Sequence, residues 1–407
     1  MRMLSLKKAL SGLLLMTAVL MLDSCIFNNK VEENINRTVL VYIGADNNLT
    51  GNAVSNIYSM NSSISNGMDN YNLLVYVDRH GVDPALLHIH NFKIDTIAKY
   101  PERDSTDPMV LREVIEDVTQ NWKADHYGLV LWSHGTGWVP TKMLHYVASN
   151  MNYAPLRRGP AYRPEPDEEE MLTKAFAWEN RQDQNPAYVC MELDELVDAI
   201  PDNLFDFIVF DACYMGNVEV VYALRNKAQQ IISSCYEIVS YGFPYHTVTR
   251  DFLSGNMLKT CNEFYDYYNN MSGWEQMGGI SLVNTSELDS LARCFRKIVH
   301  ESGDLIREKD VWNVQCFDRF NRHVFFDLKD VVSELEPRKE LMTEFTLQLE
   351  RCVEYKVSTP YIFRGSKSEI KIDSYCGLSV FIPMPKYDAS GLNDEYRKTE
   401  WSDFTDY

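Results

Sequence analysis

The chain has 407 residues, of which 45% are hydrophobic and 24% are charged. This composition is typical of folded proteins and excludes both a disordered chain and a protein with many membrane spans. The formal net charge of −19 argues against a surface that binds nucleic acid, because such a surface needs clustered Lys and Arg, and the sequence contains no such cluster. An acidic exterior favours solubility and helps to attract basic substrates.

The N-terminal segment has the pattern of a signal peptide rather than of a folded domain. A short basic region precedes an apolar stretch at residues 13–22, which is too short to span a bilayer. The tetrapeptide Leu22-Asp-Ser-Cys25 then resembles a bacterial lipobox, in which the cysteine is acylated and becomes the new N-terminus. We therefore expect a signal peptide at residues 1–24, a lipid on Cys25 and a polar tether at residues 25–36; an ordinary secretory signal followed by an unmodified cysteine is the alternative. The lipid would attach the protein to the cell envelope, at the outer membrane or cell surface rather than at the inner membrane.

Strands and helices alternate in the part of the chain that follows. Apolar runs at residues 38–43 and 73–77 predict two strands with a helix between them. The sequence Leu-His-Ile-His at residues 87–90 predicts part of a hairpin whose two histidines share one face. Residues 107–108, Asp-Pro, predict the start of a helix, because they provide an acidic N-cap and a proline at the first helical position.

Two later apolar runs each stop at a reactive side chain. Residues 127–138 contain a run that ends in Ser-His134-Gly-Thr-Gly, and residues 205–216 contain a run that ends in Asp-Ala-Cys213. A short continuous apolar run between turn signals predicts a buried parallel strand, and residues at the carboxyl ends of such strands line one edge of the sheet. The two blocks therefore bring an imidazole and a thiol together, as thiol-based acyl transfer requires.

Residues 139–187, which separate the two blocks, lack apolar periodicity. They contain the adjacent basic residues Arg157 and Arg158 and an acidic run at residues 167–170. We expect a long exposed loop here, and long loops in compact domains are usually functional or disordered. Because exposed loops are preferred sites of proteolysis, Arg157 and Arg158 are candidate processing sites.

The rest of the chain continues the alternation. Its predicted elements are strands at residues 231–232 and 280–283, a helix over residues 288–299 and a last strand at residues 377–382. The whole pattern specifies an α/β fold with a mostly parallel central sheet and helices on both faces. We expect a single domain over residues 37–385, followed by a C-terminal tail at residues 386–407.

The residues around His134 and Cys213 favour a catalytic site over structural roles. Gly135 and Gly137 let the chain turn sharply and aim backbone N–H groups at a developing oxyanion. Cys213 precedes a predicted helix start, and both a helix N-terminus and an imidazolium stabilise a thiolate. Taken singly, His134 could be a structural histidine at a strand end and Cys213 a buried structural thiol. Together they favour a Cys–His site.

This combination of blocks resembles the caspase–legumain–gingipain clan of cysteine peptidases and, within that clan, the clostripain family. The resemblance extends from about residue 38 to residue 385. The segments that carry it are residues 41–49, 132–138, 211–213, 233–237, 242–245 and 377–381. It implies a caspase-like three-layer sandwich and a cysteine endopeptidase that acts on peptide or protein substrates.

The resemblance also implies roles for individual residues. Cys213 would attack the scissile carbonyl and His134 would act as acid and base, while backbone N–H groups of Gly135 and Cys213 would hold the oxyanion. Family members tend to cleave after Arg or Lys, and Asp211 matches an acidic position of their first specificity pocket. Glu237 is a candidate second acid of this pocket. Alternatively, Asp211 only caps a helix or accepts hydrogen bonds from a loop.

The sequence requires no cofactor. Calcium is implied by the resemblance alone, because the acidic run at residues 167–170 lacks the alternating ligand spacing of a calcium loop. His88 and His90 have no evident third ligand for zinc, so two histidines on a strand face are the preferred interpretation. The eight cysteines other than Cys25 show no C-x-x-C spacing, and neither structural zinc nor a disulfide scaffold is indicated.

Two other functions are compatible with the sequence. A surface lipoprotein that kept the fold only to bind peptides or glycans would have no need of His134, Gly135 and Cys213. A transpeptidase would form the same acyl-enzyme at Cys213 but would transfer the acyl group to an amine instead of water. The pattern favours the endopeptidase.

Overall fold

A nine-stranded sheet forms the centre of the fold. The computed structural model describes residues 35–64, 70–147, 178–180, 188–302 and 311–407. The strands of this part of the chain are β1 (Arg37–Ala45), β2 (Tyr71–Arg79), β3 (Val82–His90), β4 (Lys93–Lys99), β5 (His126–Trp132), β6 (Trp178–Asn180), β7 (Tyr188–Cys190), β8 (Phe205–Asp211), β9 (Ala228–Ser233), β10 (Gly279–Asn284), β11 (Phe326–Asp327), β12 (Val353–Ser358), β13 (Tyr361–Ile362), β14 (Ile370–Lys371) and β15 (Ser379–Val380).

The helices of the described residues lie between these strands. They are α1 (Thr50–Ser63), α2 (Pro108–Asn121), α3 (Thr141–Val147), α4 (Leu193–Ala199), α5 (Val218–Ala223), α6 (Tyr245–Ser254), α7 (Met257–Asn269), α8 (Leu288–Ser302), α9 (Leu328–Glu334), α10 (Lys339–Cys352), α11 (Leu392–Tyr396) and α12 (Glu400–Thr405). The predicted helix start at residues 107–108 is confirmed, because the Asp107 side chain accepts a hydrogen bond from the Met109 N–H and Pro108 is the first helical residue.

The sheet is parallel at its centre and antiparallel at both margins. Its strand order is β12-β10-β9-β8-β5-β1-β2-β3-β4. The five strands from β9 to β2 run parallel to one another, while β10 and β12 extend one side and β3 and β4 the other as antiparallel pairs. β1 is buried along its whole length, as its continuous apolar sequence predicts for a strand covered on both faces.

Two groups of helices cover the sheet. One group consists of α1, α6 and α7, and the other links α2 and α4 through α5 to α12, α8 and α10. The result is a three-layer α/β arrangement around one continuous hydrophobic core. The predicted fold class is therefore confirmed.

The predicted exposed loop at residues 139–187 differs from the structure at its near end and at β6 (Trp178–Asn180), which pairs with β7. Val139 is buried, and α3 follows it with Met143 and Val147 buried as well. A seven-residue helix is too short to establish a clear apolar period, so the sequence pattern did not reveal it. The candidate processing residues Arg157 and Arg158 lie outside the described residues.

The C-terminal residues 386–407 also differ from the predicted tail. They form α11 and α12, and they bury Tyr396, Trp401 and Tyr407 against the core. The predicted strand at residues 377–382 is reduced to β15, which pairs with β11 outside the central sheet. Short elements joined by turns gave no periodic signal here, although their aromatic residues are the ones that a core retains.

Among the described residues, no helix combines the length and the apolar character needed to cross a bilayer. The predicted signal peptide at residues 1–24 and the predicted lipid site Cys25 lie outside the described residues.

Candidate active site

The register of two adjacent strands places the predicted catalytic residues side by side. β5 and β8 are parallel, with Trp132 opposite Asp211. The Ser133 N–H extends this pairing by donating to the Asp211 carbonyl at 3.3 Å. His134 and Cys213 each lie two residues beyond the matched pair, so the imidazole and the thiol reach the same edge of the sheet.

Gly135 lies in direct contact with the Cys213 backbone. A Cβ atom at Gly135 would lie 2.3 Å from the Cys213 carbonyl oxygen and 2.9 Å from the Cys213 nitrogen, so only glycine fits. Neither the Gly135 N–H nor the Cys213 N–H has a hydrogen-bond acceptor among the described residues. Both groups are available as donors to an oxyanion.

The predicted site residues line one narrow cleft. His134, Cys213, Asp211 and Glu237 all contribute to its wall, and its volume is about 60 Å³. Pockets that hold drug-sized ligands usually measure about 300–1,000 Å³. The cleft is therefore smaller than the pockets that usually hold a whole ligand of that size.

Asn48 orients the imidazole of His134. His134 is 7% exposed, and its Nε2 lies 2.8 Å from the Asn48 Oδ1. An amide oxygen can only accept, so His134 donates to it through a proton on Nε2. Asn48 lies in the segment at residues 41–49 that resembles the clostripain family, but the sequence pattern indicated no role for its side chain.

The Cys213 thiol contacts the backbone of Ile238. Its Sγ lies 3.4 Å from the Ile238 nitrogen, which donates to it, and 3.6 Å from the Ile238 carbonyl oxygen, to which the thiol donates. Burial, with a smaller contribution from the Glu237 carboxylate, raises the pKa of Cys213 to about 12. The surroundings of Cys213 in this structure therefore favour the thiol over the thiolate.

The helix predicted after the Cys213 strand is present as α5, but it does not begin at the cysteine. α5 starts at Val218, has Asn217 as its N-cap and contains six residues. Cys213 lies in the turn before it, where Gly216 fits closely against the Ser234 backbone. A helix dipole acts mainly within the first turn, so α5 is not the group that stabilises the thiolate.

Asp211 lies at the base of the cleft and holds a neighbouring loop. It is 4% exposed, and its Oδ2 accepts hydrogen bonds from the Phe243 N–H at 3.1 Å and the Tyr245 hydroxyl at 2.9 Å. Burial raises the pKa of Asp211 to about 6. The loop-binding role, which the sequence left open as an alternative, is thus present in the structure, and both of these donors are neutral.

Glu237 differs from Asp211 because an arginine neutralises it. The Arg319 Nε and a terminal guanidinium nitrogen lie 3.0 and 2.9 Å from the two Glu237 oxygens, and the Tyr214 hydroxyl donates to the same carboxylate at 2.7 Å. The Arg319 side chain is only 3% exposed and stacks over Phe363 at 4.0 Å. No sequence pattern pointed to Arg319, which lies 82 residues from its partner.

The other sequence-predicted residues lie elsewhere. Those outside the described residues are Cys25, Arg157, Arg158 and the acidic run at residues 167–170. His88 and His90 stack with ring centroids 4.4 Å apart, and burial lowers the pKa of His88 to about 4. Within the described part of the chain, no group of three metal-binding side chains forms at these histidines.

The fold and the cleft at its sheet edge are those of a cysteine-type endopeptidase. The sequence profile of the clostripain family matches residues 41–153 and 157–384. The chain belongs to this family.

Individual relatives agree with the assignment. The chain is 23% identical to clostripain from Hathewaya histolytica in an alignment 409 residues long, gaps included. This alignment covers 91% of this chain and 68% of clostripain. It is 30% identical to an inactive zymogen C11 protease from Parabacteroides distasonis, with a TM-score of 0.73 and coverage of 91% of this chain and 97% of that one. It is 28% identical to a secreted C11 cysteine protease from Bacteroides thetaiotaomicron, solved with an irreversible peptide inhibitor, with a TM-score of 0.73 and coverage of 91% and 99%. The predicted family and enzyme class are confirmed.

Proposed function

We propose that this protein is a lipid-anchored endopeptidase of the cell envelope that hydrolyses peptide bonds through Cys213 and His134. The observation that carries the proposal is the convergence of both side chains on one cleft beside two backbone N–H groups without a described acceptor. A module that only binds peptides would have no use for this combination. The Hathewaya and Bacteroides relatives are a clostripain and a cysteine protease.

The geometry supports a two-step mechanism. The Cys213 Sγ attacks the carbonyl carbon as His134 takes the thiol proton, and the N–H groups of Gly135 and Cys213 stabilise the oxyanion. The C–N bond then breaks, the leaving amine receives the proton from His134, and a thioester remains. Water, deprotonated by His134, attacks the thioester and releases the acid and the free thiol.

Asp211 is the residue to which we assign selectivity for Arg or Lys. Its hydrogen-bond donors are neutral, whereas Glu237 already pairs with Arg319. A basic substrate side chain beside Asp211 would favour the ionised carboxylate and offset the effect of burial on its pKa.

The experiment uses the soluble chain that starts after Cys25, with fluorogenic peptides that end in Arg, Lys, Asp or Leu. Cleavage after Arg or Lys that is lost in Cys213→Ala, and whose preference is lost in Asp211→Asn, would support both assignments. Cleavage after another residue would keep Cys213 but contradict the role of Asp211. No cleavage of any peptide, with calcium added and after nicking near Arg158, would favour the peptide- or glycan-binding lipoprotein.

Two additions to this assay test the remaining parts of the proposal. An added amine that is incorporated into the product in preference to water would indicate a transpeptidase. A chain that stays uncut at Arg157 and Arg158 while it is fully active would exclude processing as a requirement. The inactive zymogen from Parabacteroides distasonis is the reason to examine processing.

The lipid anchor is tested separately, in the full-length chain. Cells that express the wild-type protein or Cys25→Ser are labelled with an alkyne fatty acid and fractionated. We expect label and membrane association in the wild type only. An unlabelled, soluble wild-type protein would contradict the anchor without affecting the peptidase assignment.

A further inference from the structure

A second cleft lies in the C-terminal third of the fold. Its volume is about 920 Å³, and it shares no lining residue with the Cys213 cleft. Three side chains with metal-binding atoms line it: Cys316, Asp318 and His323. The peptidase mechanism uses none of them.

Asp318 shapes the loop that carries these residues. At the base of the loop, the Phe317 N–H donates to the Phe325 carbonyl at 2.9 Å. The fully buried Asp318 carboxylate accepts from the N–H groups of Phe320, Val324 and Phe325 at 2.9–3.0 Å. The loop therefore has a defined shape that requires neither the thiol nor the imidazole.

The thiol and the imidazole nevertheless converge on Asp318. The Cys316 Sγ lies 3.5 Å from the Asp318 Oδ2, and the His323 Nδ1 lies 2.8 Å from the Asp318 Oδ1. One donor atom from each of the three side chains lies within 4.8 Å of the others. Cys316 forms no disulfide, and its position on the cleft gives an ion and a water ligand access.

We propose that Cys316, Asp318 and His323 bind a borderline transition-metal ion of the Zn²⁺ class. A sulfur, an imidazole nitrogen and a carboxylate oxygen form a donor set that suits Zn²⁺ or Co²⁺, whereas Ca²⁺ and Mg²⁺ prefer oxygen ligands alone. Three protein ligands leave a fourth tetrahedral position for water from the cleft. The loop also carries Arg319, the partner of Glu237, so an ion bound here would brace the loop that neutralises one acid of the peptidase cleft.

The test uses the soluble chain with Cys213→Ala, because the catalytic thiol would itself bind zinc. The chelator-treated protein is titrated with Zn²⁺ by calorimetry, and with Co²⁺ while thiolate-to-metal charge-transfer absorption is recorded. We expect one equivalent of either ion to bind, and we expect the bound Co²⁺ to produce this charge-transfer absorption. Cys316→Ser and His323→Gln should each weaken binding by about tenfold or more, and Cys316→Ser should abolish the charge-transfer band.

Matched controls separate this site from other sulfur and imidazole groups. Cys294→Ser and His246→Gln change the same residue types elsewhere and should leave binding unchanged. Circular dichroism of the metal-free variants verifies that they are folded. The proposal is wrong if the parent protein binds no Zn²⁺, if binding survives Cys316→Ser and His323→Gln together, or if it is lost instead in a His88→Gln/His90→Gln variant.

Discussion

The carboxyl ends of the parallel strands β5 and β8 and the segment after residue 311 contribute to the active-site cleft in different ways. Strand register alone brings His134 and Cys213 together, because each follows a matched pair in adjacent strands. The C-terminal segment supplies no catalytic side chain, but it provides Arg319, which neutralises Glu237. Local strand patterns thus determine which chemistry is present, and long-range packing determines the charge that surrounds it.

Glu219, inside the core, shows the same contrast between local sequence and long-range packing. It lies on α5, shortly after Cys213, and its Oε1 accepts from the Phe381 N–H at 2.9 Å. Its Oε2 has no hydrogen-bond partner among the described residues. Burial raises the pKa of Glu219 to about 8, although the hydrogen bond from Phe381 opposes this shift; the raised pKa favours the protonated acid in the native state at neutral pH.

Among the proposed variants, Glu219→Gln should therefore have the largest effect, which is on the free energy of unfolding at alkaline pH. The unfolded chain releases the Glu219 proton from about pH 4.5, and the native state from about pH 8. The contribution of Glu219 to the free energy of unfolding therefore falls across this window by at most about 5 kcal/mol and is constant above it. Urea unfolding at a series of pH values should show an advantage of the variant that grows from pH 4.5 to 8. Glu340→Gln, a substitution at an exposed position, should show no advantage that grows with pH. A pH-independent difference between Glu219→Gln and the wild type would contradict the raised pKa of Glu219.

Gly135→Ala tests the other side of the comparison, the backbone geometry of the sheet edge. The added Cβ would collide with the Cys213 carbonyl oxygen and nitrogen, which displaces a proposed oxyanion donor. We expect kcat/KM to fall by about 10²–10³-fold. Gly51→Ala is the control, because its Cβ would meet no atom within 4 Å. Equal activity of the two variants would exclude the proposed oxyanion site.

The same division explains what the sequence could predict. The central strands and the placement of His134 beside Cys213 could be predicted because continuous apolar runs are typical of the buried strands of a parallel sheet. The edge strand β12, Val-Glu-Tyr-Lys-Val-Ser, was missed because it is only half buried. Arg319 was missed because nothing in the local sequence marks a partner 82 residues away. The helices α11 and α12 were missed because elements of five and six residues show no period.

Arg319→Met sharpens the contrast between the two acids of the cleft. It leaves Glu237 buried without its cation, which should lower the free energy of unfolding by about 3 kcal/mol. The double variant Arg319→Met/Glu237→Gln should recover most of this loss, since it removes the unpaired charge. Arg296→Met breaks a solvent-exposed pair with Asp406 and should cost less than about 1 kcal/mol.

A selectivity measurement on the same variant tests whether Arg319 masks Glu237. With the carboxylate released, the ratio of kcat/KM for Arg peptides to that for Leu peptides should rise by about tenfold, or ~1.4 kcal/mol. An unchanged ratio in a folded Arg319→Met protein would mean that Glu237 does not face the substrate.

Asn48→Ala distinguishes positioning of the imidazole from participation in the chemistry. Asn48 contacts the imidazole at 2.8 Å but takes no proton itself, so its loss should lower kcat by about tenfold with little change in KM. Asn48→Asp keeps an acceptor oxygen and adds a negative charge, which should restore much of kcat and move the acidic limb of the pH–rate profile to higher pH, because a carboxylate raises the pKa of a neighbouring histidine. Asn52→Ala, on the following helix, should be neutral. If the Ala and Asp variants share the wild-type pH profile, the contact with His134 has no catalytic role, and strand register alone is sufficient to position the imidazole.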